Sequence, residues 1–387
     1  MVVHACPVSS MTVVVAIDVG KNEFAVSVTD AARKRLLAPV TGCPMTASSL
    51  REVIARIDGV LPAGAQVRVG VEAAGHYHLP LLAPSAWPPG WEVLELNPGH
   101  VTELLLAGRG LPVAHGEAVL VEIAAWAGHR HRRVQIRTAT KNQLLGQLDR
   151  TFPGLTMALP DVLSTKVGRL VAAEFADPKR LAALGSSRFI RFAANRGLQV
   201  RAPMADRLVT AARDALPMPD AAVARQVLAA DLALLADLDT QVDVAATELA
   251  RLLTTSPYAV LTTVPGWGTV RVGNYAAAVG DPGRWPGAKQ LYRAAGLNPI
   301  QYESAGKRRD SSISREGSVE LRRALIDLGM GLWLTDPAAK AYATGLRARG
   351  EKGGVIACAM AHRANKIAYA MVRDHADYDP AKWTPMA

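Results

Sequence analysis

The chain has 387 residues, half of them hydrophobic, which is enough for two or three domains that each bury a core and argues against a disordered polypeptide. A formal charge of +10 suggests a polyanionic partner. No apolar run approaches the ~20 residues of a membrane span, and Met1 to Met11 has neither a basic start nor a secretory apolar stretch, so the reading is a cytoplasmic protein with no membrane partner. Cys6, Cys43 and Cys358 are odd in number and lack CxxC spacing, which argues against a disulfide framework and a structural zinc site.

In chain order, TVVVAID from Thr12 to Asp18 turns through Gly20 into FAVSVTD, the pattern of a hairpin of β-branched strands. Ala47 to Ile57 has the spacing of an amphipathic helix, and VRVGVE ending at Glu72 and EVLEL ending at Leu96 predict two further strands. From Glu117 to about Leu253 the pattern is helical, with breaks expected at Pro153, Pro160, Pro203 and Pro217. The last of these helices repeats every seven residues through Leu228, Leu235, Val242 and Leu249, with Leu232, Ala246 and Leu253 alongside and Asp239 interrupting. A coiled-coil seam and a long helix packed on its own domain both fit that spacing. A third domain opens near Tyr258 with LTTVPGWGTV and ends near Asp374. The expected layout is an α/β domain over 11–135, a helical, coiled-coil connector over 136–256 and a mainly α-helical domain over 257–375. Lys and Arg balance Asp and Glu in the first hundred residues, whereas Gln301 to Arg373 holds 13 basic side chains against 7 acidic ones, so phosphate is expected at the back.

Asp18 and Glu72 each end a strand-like run and precede small residues. A carboxylate at the end of a buried strand serves a turn or holds a cation. Two such strand ends on one side of a sheet could share a divalent ion, and Mg2+ suits them because it takes oxygen ligands and commonly needs only one or two carboxylates. AIDVGKNEF, GVEAAG and NPGHV resemble the RuvC-like, ribonuclease-H-like domain of the bridge-RNA-guided insertion-sequence transposases, the IS one-ten family. The resemblance implies a DEDD metal site in which Asp18 is the first acid and Glu72 the second. At the third element the family's Asp-x-x-Asp is replaced by Ala114 and Glu117, leaving Glu117 as the remaining carboxylate, with His115 or Glu122 as possible substitutes.

The PGWG turn after Thr263 could present backbone N–H groups to phosphate or simply join two helices. The stretch from Gly296 to Leu325 resembles the transposase domain of the same family through Gly296, Leu297, Pro299, Ser304, Ile313, Ser314, Arg315, Gly317, Leu321, Arg322 and Leu325. The resemblance implies that Ser304 is the nucleophile; without it, Ser304 reads as a loop serine, and Ser311, Ser312 and Ser314 stand nearby. A serine hydroxyl needs activation and nearby positive charge, which Lys307, Arg308, Arg309, Arg315 and Arg322 could supply. Arg130, Arg132, Arg133, Arg137 and Lys141 form a basic cluster on a predicted helix, suited to nucleic-acid backbone and, by the resemblance, to the guide RNA. Arg363, Lys366 and Arg373 on the final helix fit either a solvated face or a DNA contact.

The combined expectation is a magnesium-assisted transposase and recombinase that exchanges strands through a phosphoserine intermediate, with donor and target DNA and a bridge RNA as partners. Several active sites would then be needed, so a homodimer or homotetramer joined through the heptad helix is expected. Two other classes fit the same residues: a catalytically weakened nucleic-acid-binding relative, suggested by Ala114, and a metal-dependent RuvC-like nuclease that makes no use of the serine.

Overall fold

The computed structural model describes residues 9–74, 76–96, 100–108, 110–112, 118–219, 221–304, 307–314 and 317–383, with the backbone alone for the strand residues from 299 to 312. The chain forms two compact units, Met1–Ala125 with Ala250–Ala387, and Trp126–Leu249.

The front of the first unit is a six-stranded mixed sheet: β1 (Thr12–Val19), β2 (Glu23–Asp30), β3 (Arg35–Pro44), β4 (Gln66–Glu72), β5 (Glu92–Leu96) and β6 (Leu111–Pro112), in the order β3-β2-β1-β4-β5-β6. β1 is central and buried from Thr12 to Ile17, pairing antiparallel with β2 and parallel with β4. β3 and β6 were not legible in the sequence. β3 carries Pro39 and Pro44, is largely exposed, and pairs with β2 through register shifts, as suits an edge strand.

Period-two alternation divides the side chains of β1 between the two faces. Val13, Val15, Ile17 and Val19 join Val67, Val69 and Val71 of β4 and Leu50, Val53 and Ile57 of helix α1 (Ala47–Asp58), together with Leu81 and Leu82 of α2 (Leu79–Leu82). On the other face, Val14 and Ala16 join Leu94, Leu96 and, from α3 (Val101–Leu106), Val101 and Leu105. Gly70 makes this second packing possible, because a Cβ there would lie 2.5 Å from Leu105 Cδ1 and 2.6 Å from Leu96 Cδ1. A mixed sheet with helices on both faces is compatible with the ribonuclease-H-like expectation.

The second unit takes its helices from α4 (Ala118–Thr151), α5 (Leu155–Ala158), α6 (Lys166–Glu174), α7 (Pro178–Ala194), α8 (Ala202–Asp214) and α9 (Ala221–Leu253). Leu144, Leu148 and Phe152 of α4 pack with Leu181 and Phe189 of α7, Leu208 of α8 and Leu228 and Leu235 of α9. The expected break at Pro203 falls between α7 and α8, and Pro203 itself sits in the first turn of α8, where no backbone N–H is needed. The heptad row of α9 is buried within the single chain, Leu228 at 1% exposure, Val242 at 3% and Leu249 at 0%. The row is therefore accounted for by a helix packed on its own domain, and it is not a free seam for a second copy. The interruption at Asp239 is answered inside the unit: Arg137 Nη1 lies 3.1 Å from its Oδ1, and Arg169 bonds its Oδ2. Burial opposes the charge, but the hydrogen bonds and charge of Arg169 and then Arg137 hold the Asp239 carboxyl below its ordinary range.

The back of the first unit comprises α10 (Thr269–Val279), α11 (Ala288–Ala294), a hairpin of β7 (Pro299–Ser304) and β8 (Lys307–Ile313), α12 (Val319–Thr335), α13 (Pro337–Ala348) and α14 (Gly353–Asp374). The PGWG turn packs inward. Gly266 has φ of +79°, a Cβ on it would lie 2.4 Å from Gly331 O, and the buried Trp267 donates from Nε1 to Leu328 O at 2.8 Å. The sheet and the back helices meet at Glu95 of β5, which takes a 3.3 Å contact from His78 Nε2 and a 3.2 Å bond from Arg284 Nη2. The bond to His78 and the charge of Arg284 outweigh burial and hold the Glu95 carboxyl below its ordinary range.

Candidate active site

The ladder between β1 and β4 runs to Ile17 opposite Val71, so the next step in register sets Asp18 beside Glu72. By alternation both belong to the face of Ala16 and Gly70, over which α3 lies, and neighbouring strands are about 5 Å apart. Asp18 is exposed although its neighbours in β1 are buried. Both carboxylates line one cleft of about 440 Å3, whose walls include Ser27, Thr41, His100 and Glu103. Glu103 is tied to Arg33 Nη2 at 2.6 Å, whereas Asp18 has no ion pair with a cation among the described residues. His100 and Glu103 were missed as site residues. Their only signal in the sequence was the NPGHV segment, whose helix places them over the ends of β1 and β4 only once the sheet is folded.

Two carboxylates on adjacent strands fit magnesium, which accepts few protein oxygens and fills its remaining positions with water or phosphate oxygens. Among the described residues no three His, Cys, Asp or Glu side chains cluster as a metal site. Ala114, His115 and Glu117, the expected third element, lie outside the described residues, as does Arg315.

Ser304 is the last residue of β7 and pairs with Lys307, the first of β8; Glu303 stands opposite Arg308 and Tyr302 opposite Arg309. Without the resemblance the sequence makes Ser304 a loop serine, but the backbone is a β-hairpin with the serine in its final pair. The root of that hairpin is clamped. Ser314 N donates to Asn298 O at 2.9 Å, Ser318 N to Ala294 O at 2.9 Å, and Arg322 Nη1 to Ala295 O at 2.9 Å. A Cβ on Gly317 would lie 2.3 Å from Ala294 O, so the glycine permits the close approach. Ser318 then caps α12 by accepting from Leu321 N at 3.1 Å. The motif residues Gly296, Ser314, Gly317 and Arg322 thus hold the hairpin on the helices, and the Arg322 guanidinium bonds backbone.

On α4, Arg132 is exposed, while Arg130, Arg133, Arg137 and Lys141 are half-buried. Arg137 bonds Asp239. Burial, and after it the charge of Arg137, lowers the pKa of both Arg130 and Lys141. Nε of Arg130 and of Arg133 is buried with no hydrogen-bond partner among the described residues. No helix among the described residues is long and apolar enough to cross a membrane.

Residues 15–109, which include Asp18, Glu72 and His100, match the DEDD transposase model named for IS110. Residues 258–344, which include Ser304 and the clamp, match the model of the transposase IS116/IS110/IS902 family. The insertion element IS110 uncharacterized 43.6 kDa protein of Streptomyces coelicolor is 25% identical over 270 residues, 68% of this chain and 65% of that protein. The insertion element IS900 uncharacterized 42 kDa protein of Mycobacterium paratuberculosis is 26% identical over 290 residues, 71% of this chain and 70% of that protein. The pilin gene-inverting protein of Moraxella bovis is 29% identical over 125 residues, 31% of this chain and 38% of its own. The match thus spans just under two thirds of the Streptomyces relative. The front of the chain is thus similar to the DEDD transposase model and its back to the IS116/IS110/IS902 transposase model.

Proposed function

We propose that this chain is a DNA transposase and site-specific recombinase that cuts and rejoins strands through Ser304. The observation that carries the reading is the placement of Asp18 and Glu72 side by side in one cleft, in a compact unit that also contains the clamped Ser304 hairpin. The two transposase matches and the name of the Moraxella relative support it.

In this reading Ser304 Oγ attacks a phosphodiester. A P–Oγ bond forms as a P–O bond to one strand end breaks, the serine proton passes to a base, and the departing oxygen is protonated. The reverse reaction on another strand end reseals DNA with no ATP, because the phosphodiester is conserved. Lys307, Arg308 and Arg309, in the first three positions of β8, would supply positive charge for the phosphate. Asp18 and Glu72, with Glu117, would hold Mg2+, and the ion when bound would stabilise charge developing on phosphate oxygens. Arg130, Arg132, Arg133 and Lys141 would meet nucleic-acid backbone, including a bridge RNA that pairs with donor and target DNA. Two DNA partners require several active sites, so a homodimer or homotetramer assembles through surfaces other than the heptad row.

A denaturing gel for protein covalently attached to labelled DNA tests this reading. The wild type should give an adduct that Ser304→Ala lowers at least ~1,000-fold. Free nicked ends without an adduct would instead identify a carboxylate-dependent nuclease, and binding without cleavage would identify the weakened relative.

A further inference from the structure

The helical unit carries a second basic surface, separate in sequence from the cluster on α4. From Pro178 at the start of α7 to Asp214 at the end of α8, eight Lys and Arg side chains stand against two acids, Asp206 and Asp214, an excess equal to more than half of the formal +10 of the whole chain. All eight basic side chains are exposed. Packing explains why. α7 turns Leu181, Phe189 and Ala193 into the core of the unit, and α8 turns Ala205, Leu208, Val209 and Ala212 into the same core. With about 3.6 residues per turn, Arg191 and Arg207 lie on the sides of their helices away from those buried rows.

Two of the eight are engaged within the unit. Helical geometry breaks at Gly185, whose φ of +71° suits glycine, and Arg188 closes the break by donating from Nε to Leu184 O and from Nη2 to Ala183 O, each at 2.8 Å. Arg196 lies 3.6 Å over the Phe192 ring centroid, with its Nη2 3.6 Å from Glu174 Oε1. The other six, Lys179, Arg180, Arg191, Arg201, Arg207 and Arg213, have no ion pair among the described residues. Elsewhere in this unit Arg137 and Arg169 share Asp239, so the contrast lies in how few acids the chain supplies here. Charge of a single sign repels itself, and a docked polyanion relieves that repulsion.

Three polyanions offer the charge, and the surface lacks what two of them need. A basic helix that enters a lipid interface also exposes Trp, Phe or Leu, and no large hydrophobic side chain among the described residues of α7 and α8 is exposed. Single strands are held by stacking on aromatic rings, but Phe189 is buried and Phe192 lies under Arg196. Guanidinium groups on packed helices instead suit the phosphate oxygens of a duplex, which they bind in bidentate fashion without reading sequence. We propose that the outer face of α7 and α8 holds the backbone of duplex DNA, with Arg191, Arg201, Arg207 and Arg213 on its phosphates, in addition to the contacts made at α4 and Ser304. The choice of DNA over an RNA duplex rests on the transposase reading above.

The test measures binding of the full chain to a random-sequence DNA duplex by fluorescence anisotropy over a series of salt concentrations. Replacing Arg191, Arg201, Arg207 and Arg213 together by Gln should weaken binding at least ~30-fold and reduce the slope of log K against log salt by about 3, since each phosphate contact contributes about 0.9. The unfolding temperature should not drop, because the four side chains are exposed and unpaired among the described residues. A control removes the same charge from exposed positions of the first unit, Lys34, Arg35, Arg349 and Lys352, also by Gln, and should keep the wild-type slope. Equal behaviour of the two variants, or an unchanged slope in the α7 and α8 variant, overturns the proposal. So does a loss confined to an RNA duplex or to phosphatidylserine vesicles. Duplex DNA binding that the variant loses, in a wild type that forms no covalent adduct at saturating DNA, supports this surface while defeating the Ser304 reading.

Discussion

Asp18 and Asp239 are both aspartates that interrupt apolar patterns, and the structure treats them in opposite ways. Asp239 lies on a half-buried helix face and is met by Arg137 and Arg169, so its charge is neutralised within its own unit. Asp18 ends a buried strand, opens into a cleft and has another carboxylate, Glu72, as its neighbour in register. A charge matched by the protein holds a fold together, whereas an exposed carboxylate such as Asp18, with no cation paired to it among the described residues, is open to a group from outside the chain.

Substitutions sharpen this contrast. Asp18→Asn and Glu72→Gln should each lower strand cleavage by ~100-fold or more, and Asp18→Asn should leave the urea unfolding midpoint unchanged or slightly raised, since Asp18 is exposed and pairs with no cation among the described residues. A large loss of stability would place these acids with Asp239 as structural. Asp239→Ala should destabilise the helical unit by about 2 kcal/mol, measured by urea denaturation, because it strands two half-buried guanidinium groups.

Gly70→Ala probes how the cleft is built. A Cβ there meets Leu105 and Leu96, so overpacking of about 1–2 kcal/mol is expected. It should also push α3, with His100 and Glu103, away from Asp18, and divalent-ion-dependent activity should drop more than stability does. Equal losses in both would detach α3 from the site.

The smallest expected effect is at Glu95, where the sheet meets the back helices. Its carboxyl is held below the ordinary value, so its stabilisation is fully present above the unfolded pKa of about 4.3 and is lost as pH falls through the lower folded value. Glu95→Gln should therefore cost about 1 kcal/mol at pH 7, and the wild type and variant should converge as the pH is lowered past that range. Urea titrations at several pH values check this, and a constant gap across acid pH would deny the ion pair its role.

Much of the front domain was legible because β-branched alternation and strand ends are local: TVVVAID, VRVGVE and EVLEL all became strands, with Asp18 and Glu72 at or next to their ends. β3 was not, since two prolines and an exposed face hide an edge strand that only the pairing surface of β2 defines. The Ser304 hairpin was hidden for a related reason. Its strand sequences, PIQYES and KRRDSSI, are mostly polar and basic, and its position depends on bonds between the flanking ends of α11 and α12 that no local pattern encodes.

Composition and spacing by themselves fixed the mixed α/β front, the helical run, the excess positive charge at the back and the carboxylates worth attention, because each is a property of neighbours in sequence. Only the tertiary structure decided that the heptad leucines are buried within the chain, that Arg137 and Arg322 are bonded to Asp239 and to backbone, that PGWG packs inward, and that Asp18 and Glu72 share a cleft with His100. The physical reason is that a charge, a glycine or an apolar stripe has no assigned partner until distant segments compete for it, and packing settles that competition.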